Sequence, residues 1–184
     1  MKIIKVTLDE VSEVVLGLLS TQSEGLVYCV ADDCCAVVGS NGGANFEAIE
    51  KAGIKKVEIK HEGGTIILSP GDIDIGIFTR GYLGSEIRDN IINTIISFLQ
   101  EKNIASVISG NDVLIDGRKV VGYGSRMFGN ILYSAIHIAV SVDIELIKKI
   151  CTKPMHKMPK GLDAYGVTTE DILKLLSNIF KYKF

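Results

Sequence analysis

Tryptophan is absent from the 184 residues, and there are only three prolines and four cysteines. The cysteines close off one class. Cys29, Cys34, Cys35 and Cys151 form no CxxC pair, and no histidine lies near the first three, so a zinc site is not expected. In YCVADDCCAVVG the cysteines read as small apolar strand residues. No apolar run approaches the length that spans a bilayer, so no membrane partner is expected. MKIIKVTLDEVSEVV lacks a signal peptide's apolar core and cleavage site, which makes a cytoplasmic protein the default. Twenty basic residues face 22 acidic ones, a net charge of −2, so charge gives no reason to expect a nucleic-acid partner. Nothing reads as a repeat, linker or low-complexity tract.

What is present fits a folded domain. Hydrophobic residues make up 47% of the chain and charged residues 23%, enough apolar surface for a real core in a single domain spanning 1–184. Thr7 and Glu10 have capping-box spacing ahead of Val11, Val14, Val15, Leu18 and Leu19, which recur at helical period. LVYCV and CAVVG read as a strand pair joined at Asp32-Asp33. Asn45 caps FEAIEKA, and Gly53 ends it. Strands are expected near 56–60 and 65–68, flanking His61-Glu62-Gly63-Gly64, and then at IDIGIFT. A long helix over 85–102 presents Ile87, Ile91, Ile95, Phe98 and Leu99 on one face. After ASVIS comes a hairpin, and ILYSAIHIAVSV has the length for a central strand. Asp143 opens a helix to about Cys151, and Thr168 opens the last. The pattern predicts an α+β fold, with helices packed on a mixed, largely antiparallel sheet.

The hairpin, GNDVLIDGRKVVGYGS, raises the functional question. Asp116-Gly117 between two β-branched runs is a tight-turn signal. A two-residue turn pairs Ile115 with Arg118, Leu114 with Lys119 and Asp112 with Val121, so Lys119 sits in mid-strand on one face with Asp112 on the diagonal. It either snorkels to solvent or is a half-buried ammonium held for a ligand's oxygens, with Asp112 as its partner or as a ligand for a metal. Spacing alone leaves both readings level. EGGTIILSPGD is either a hairpin turn or bare backbone offered to a ligand. Lys148, Lys149, Lys153, His156, Lys157 and Lys160 form a basic stretch that reads as solvated surface or as a site for a phosphate or acidic partner. His137, inside an apolar run, reads as a core histidine.

In this order the motifs resemble those of the lipoate–protein ligase A family, within the biotin/lipoate ligase and octanoyltransferase superfamily. The resemblance covers about residues 26–176. It rests on VVGSNGGANFEAIEKAGI, EGGTIILSPGD, Asn111-Asp112 followed by Lys119 and Gly122, then Asp143 and Lys160-Gly161. It implies a biotin/lipoate ligase-type catalytic domain in which ATP and magnesium activate lipoate or octanoate as acyl-AMP, and the acyl group passes to a lysine of a lipoyl-type acceptor domain. Lys119 would be the catalytic lysine. Gly63, Gly64, Thr65, Asn111, Asp112, Gly122 and Ser125 would bind substrate, and Asp112 would reach magnesium. Against the family pattern, VEIKHEGGT has no arginine, with Lys60 the nearest cation, and Glu62 stands where the first glycine is expected. Ala135-Ile136 replaces a His-Gly pair, with His137 one step on. No C-terminal accessory domain is expected, which leaves room for a separate accessory subunit. Two other readings remain: an ATP-independent octanoyl or lipoyl transferase using Cys151 as nucleophile, and a non-catalytic homologue that binds an acyl group or a partner.

Overall fold

Alternating isoleucines and valines build two sheets in the computed structural model of the chain. The structure describes all residues except 40, 41, 59–63, 82 and 184, and the side chains of 182 and 183. In chain order the described elements are β1 (Ile3–Val6), α1 (Val11–Ser20), β2 (Gly25–Val30), β3 (Cys35–Val38), α2 (Phe46–Ala52), β4 (Lys55–Glu58) and β5 (Thr65–Leu68). There follow β6 (Ile73–Arg80), α3 (Leu83–Glu101), β7 (Val107–Ile108), β8 (Asp112–Ile115), β9 (Arg118–Phe128), β10 (Ile131–Ile138) and α4 (Ile144–Ile150). A 3-10 turn (Leu162–Tyr165) and α5 (Thr169–Lys183) complete the chain.

The larger sheet has the order β1-β2-β6-β10-β9-β8-β7, and the smaller β4-β3-β5. The pairs β2–β6, β6–β10, β10–β9, β9–β8 and β8–β7 are antiparallel, while β1 runs parallel to β2. This is the expected mixed, largely antiparallel sheet with packed helices, and β10 lies near its centre. No helix among the described residues is long and apolar enough to cross a membrane.

β6 shows how sequence divides the two faces. Side chains alternate along a strand. Ile73, Ile75 and Ile77 enter a core with Ile87, Ile91, Ile95 and Leu99 of α3 and with Ile172 and Leu176 of α5. Each buried isoleucine contributes about 1.5–3 kcal/mol relative to exposure. The expected α3 face is therefore the buried one. Asp74, Gly76 and Phe78 project to the opposite face, where Phe78 joins Val11, Val15 and Leu19 of α1.

Three expectations change. LVYCV and CAVVG are not partners: β2 lies in the large sheet and β3 in the small one. The stretches flanking 61–64 are not a hairpin pair either, because β4 pairs parallel and β5 antiparallel with β3 between them. Strand propensity places strands but does not choose their neighbours. The short run at Ile3–Val6 is also a strand, completed as an edge by β2. At α1 the capping box is half made: Glu10 Oε2 accepts from the Thr7 amide and hydroxyl, both at 3.0 Å, while the helix begins at Val11 with no side-chain cap.

Gly161 marks a close approach of backbones. A Cβ there would come within 2.5 Å of the Val140 carbonyl oxygen. Gly161→Ala is expected to destabilise the protein by about 1–3 kcal/mol, the usual cost of overpacking, read as a drop in the urea midpoint with unchanged slope. An unchanged midpoint would show that this contact relaxes freely.

Candidate active site

The hairpin folds as a tight turn with Asp116 at φ 51° and Gly117 at φ 73°, the left-handed pair that a primed turn requires. The register then departs from simple alternation. Ile115 pairs with Arg118 and Leu114 with Lys119, but a bulge follows, so Val113 pairs with Val121 and Asp112 with Gly122 rather than Val121. A bulge re-aims the side chains around it, and here it brings Asp112 and Lys119 together.

Lys119 Nζ lies 2.8 Å from Asp112 Oδ1, and Lys157 Nζ lies 2.9 Å from Asp112 Oδ2. One carboxylate thus anchors two ammonium groups. Lys157 also donates to the Ser109 carbonyl. Burial pushes the Asp112 carboxyl up, but hydrogen bonds from Lys119 and Lys157 outweigh this and hold it below its ordinary value. The stability Asp112 contributes is therefore complete above its unfolded value near pH 4 and is lost as pH falls through its lowered folded value. Acid unfolding of Asp112→Asn, followed by circular dichroism, should lose part of the low-pH transition. An identical acid limb would remove this assignment.

Gly122 explains how Lys119 is aimed. A Cβ at Gly122 would come within 2.6 Å of both Cε and Nζ of Lys119. The lysine therefore lies across bare backbone. Its own backbone is clamped by the 152–161 segment: the Lys119 amide donates to the Met158 carbonyl at 3.1 Å, and the Lys119 carbonyl accepts from Lys160 at 2.9 Å.

Lys119 borders a cavity of about 370 Å³ between the two sheets, within the usual range for small-molecule sites. Gly122, Gly124 and Ala135 form part of its floor, while Val37, Ile67 and Met155 line it from the other side. Lys153, Lys157 and Arg126 also border it. A Cβ at Gly124 would meet nothing within 4 Å, so that position is bare beside open space. Asp112, Gly122, His137, Asp74 and Cys29 are cross-strand neighbours in a single row over β8, β9, β10, β6 and β2, and Gly122, His137 and Asp74 of that row border the cavity.

The other expected site residues divide. Gly64 and Thr65 border the cavity. Gly63, Glu62 and Lys60 lie outside the described residues. Asn111 is exposed, is not part of the cavity wall, and contributes its carbonyl to the Tyr123 amide at 2.9 Å. It lies just ahead of β8, which begins at Asp112. Ser125 borders the cavity, but its hydroxyl is bonded to Arg88 of α3 and to Ser134, each at 2.7 Å. Strand alternation turns that hydroxyl toward α3. Cys151 borders the cavity at the end of α4, and burial pushes its thiol up, opposite to what a thiolate nucleophile needs.

Magnesium does not fit Asp112 as a protein-held site. Both Asp112 oxygens are engaged by ammonium groups, and no cluster of three His, Cys, Asp or Glu residues suited to a metal occurs among the described residues.

Two participants were not singled out in the sequence. Lys157 belongs to the basic stretch, which the sequence left open between surface and site, and it is tied to Asp112 and Ser109. His137 borders the cavity instead of filling the core, with Asp74 beside it. The aspartate interrupting IDIGIF was the available signal for Asp74.

The pattern of the lipoyl protein ligase A/B catalytic domain matches residues 10–179. The chain belongs to this family. It is a ligase-type catalytic domain of the biotin/lipoate superfamily. No curated protein matches the sequence. Among solved structures, P. falciparum LipL1 in complex with lipoate is similar with TM-score 0.79 and 15% identity, over 97% of this chain and 61% of that one. The chain thus spans about three-fifths of that protein's length. A lipoate-protein ligase A bound with ATP gives TM-score 0.74 at 12% identity, over 97% and 83% of the two chains. The bipartite lipoate protein ligase of Thermoplasma acidophilum, described with its E2 lipoyl domain, gives 0.71 at 14% identity, over 97% and 81%. At such identities the likeness shows the shared fold.

Proposed function

We propose that the chain activates a small carboxylic acid, lipoate or octanoate, as its acyl-adenylate and passes the acyl group to a lysine of a lipoyl-type acceptor domain. The observation that carries this reading is Lys119, laid over Gly122 by Asp112 at the wall of an apolar cavity. The cavity suits an acyl chain, and the fixed ammonium suits its carboxylate. In the first step a carboxylate oxygen attacks the α-phosphorus of ATP and pyrophosphate leaves. In the second the acceptor amine attacks the acyl carbon, the C–O bond to AMP breaks, and the amine's protons pass to solvent. Negative charge develops on the carbonyl oxygen and on departing AMP. Preorganised ammonium groups in a water-poor site stabilise both. Magnesium would arrive on the ATP phosphates, the usual way this ion is held. The bipartite neighbour supports an accessory subunit on a separate chain as part of this reading.

The cavity position of Cys151 gives the transferase alternative a definite test. Acyl transfer to a lipoyl domain is measured with free acid plus ATP, and separately with an acyl-carrier thioester without ATP, in wild type and Cys151→Ser. The ligase reading expects ATP-dependent transfer that survives the substitution within about twofold, as for a substitution outside the reacting groups. Thioester-dependent transfer abolished by Cys151→Ser would replace it with the transferase. Binding of the acid or the lipoyl domain without either transfer would leave the non-catalytic homologue.

A further inference from the structure

An apolar cavity is expected to leave no polar side chain unanswered, yet three in this wall have no hydrogen-bond partner among the described residues. His137 Nδ1 is buried and unpaired, its side chain only 11% exposed. Thr65 Oγ1, on β5 in the small sheet, is also buried and unpaired. The Asp74 carboxylate, 15% exposed, lies 4.0 Å from His137 Nδ1, too long for a hydrogen bond. All three residues border the one cavity. Leaving such groups unpaired in a water-poor site is costly, and native structures seldom do so without a reason.

We propose that the acid this cavity selects carries an N–H-bearing group in its body, such as a ureido ring or an amine, which pairs with Asp74 and His137. The inference rests on the acyl-adenylate reading above and departs from it in the acid alone, since neither lipoate nor octanoate carries an N–H group. The acid's own carboxylate is not the missing partner. Lys119 and Lys157 supply the positive charge at the Asp112 end of the row, and so draw the acid's carboxylate there. A saturated chain offers these groups nothing, and the sulfurs of a dithiolane are at best weak acceptors. An N–H donor answers Asp74 directly.

The surroundings of Asp74 hold it ready for such a donor. Cys29 faces it from β2, Cys35 from β3, Tyr133 and His137 from β10, and Asp72 lies in the turn just before β6. Burial keeps Cys29, Cys35 and Tyr133 protonated and His137 neutral, so none of them neutralises the carboxylate. Burial, then the neighbouring Asp72, pushes Asp74 up to about 7. Lys119 does not pair with it, because Asp112 ties that ammonium on the far side of His137.

Calorimetric binding of four acids tests the proposal: octanoate, an omega-amino octanoate, lipoate and biotin, with wild type, Asp74→Leu and the isosteric Asp74→Asn. Wild type is expected to bind biotin or the amino acid about tenfold tighter than octanoate, the scale set by one or two buried hydrogen bonds. Asp74→Leu should erase that preference and tighten octanoate. Asp74→Asn, which preserves shape if leucine impairs folding, should abolish any preference for the amino acid. Octanoate or lipoate binding at least as tightly as both N–H-bearing acids, or a uniform loss with all four in the variants, overturns this inference and leaves the ligase reading intact. No binding of any acid to folded wild type overturns both.

Discussion

Lys119→Ala is expected to lower acyl-adenylate formation by about 10²–10³-fold, the usual loss on removing one preorganised charge-stabilising donor. Substrate binding should weaken less, because the apolar walls from Val37 to Met155 persist. The loss should therefore appear mainly in kcat. The fold should survive, since Lys119 makes its structural bonds through its backbone to Met158 and Lys160, which alanine keeps. Asp112 also keeps one partner in the variant, Lys157 at 2.9 Å, so no isolated carboxylate is created. Steady-state kinetics beside a urea titration separate the two effects. A variant that loses activity only in proportion to its stability would remove Lys119 from the chemistry.

Gly122→Ala is expected to cost about 10²-fold in activity, although it adds only a methyl group. The new Cβ would occupy space 2.6 Å from the lysine's Cε and Nζ, so the ammonium must move. Misplacing a catalytic group by about 1 Å has an effect of this order. The lysine is a flexible side chain rather than backbone, so the fold accommodates the methyl by shifting it. Stability should change little while activity falls. Gly124→Ala is the internal control: its Cβ meets nothing within 4 Å, and Lys119 stays in place. Equal activities for Gly122→Ala and wild type would mean that the observed lysine position is not the reacting one.

The sequence was most informative where a single residue's chemistry settles local geometry. Asp116-Gly117 announced its turn, Asn45 and Asp143 announced their caps, and the α3 isoleucines announced their buried face. Lys119 and Asp112 could be named as neighbours because period-two alternation brings them near. Their actual contact depends on a bulge between Val113/Leu114 and the facing strand, and nothing in VLIDGRKVV marks which residue is left unpaired. Long-range assembly was less legible. β3 sits between β4 and β5, partners chosen by packing that no local propensity encodes. Lys157 could not be told from its basic neighbours because its partners, Ser109 and Asp112, lie 48 and 45 residues away. Asp74 and His137 meet as cross-strand neighbours of β6 and β10, a pairing visible only once the strand order is known.

The most direct test of the central claim is incubation of the purified protein with ATP, magnesium and each candidate acid, followed by mass spectrometry for an AMP-linked acid. The account predicts an acyl-adenylate with at least one acid in wild type and its near absence in both Lys119→Ala and Gly122→Ala. No adenylate with any acid from demonstrably folded wild type, or wild-type amounts from either variant, would contradict it.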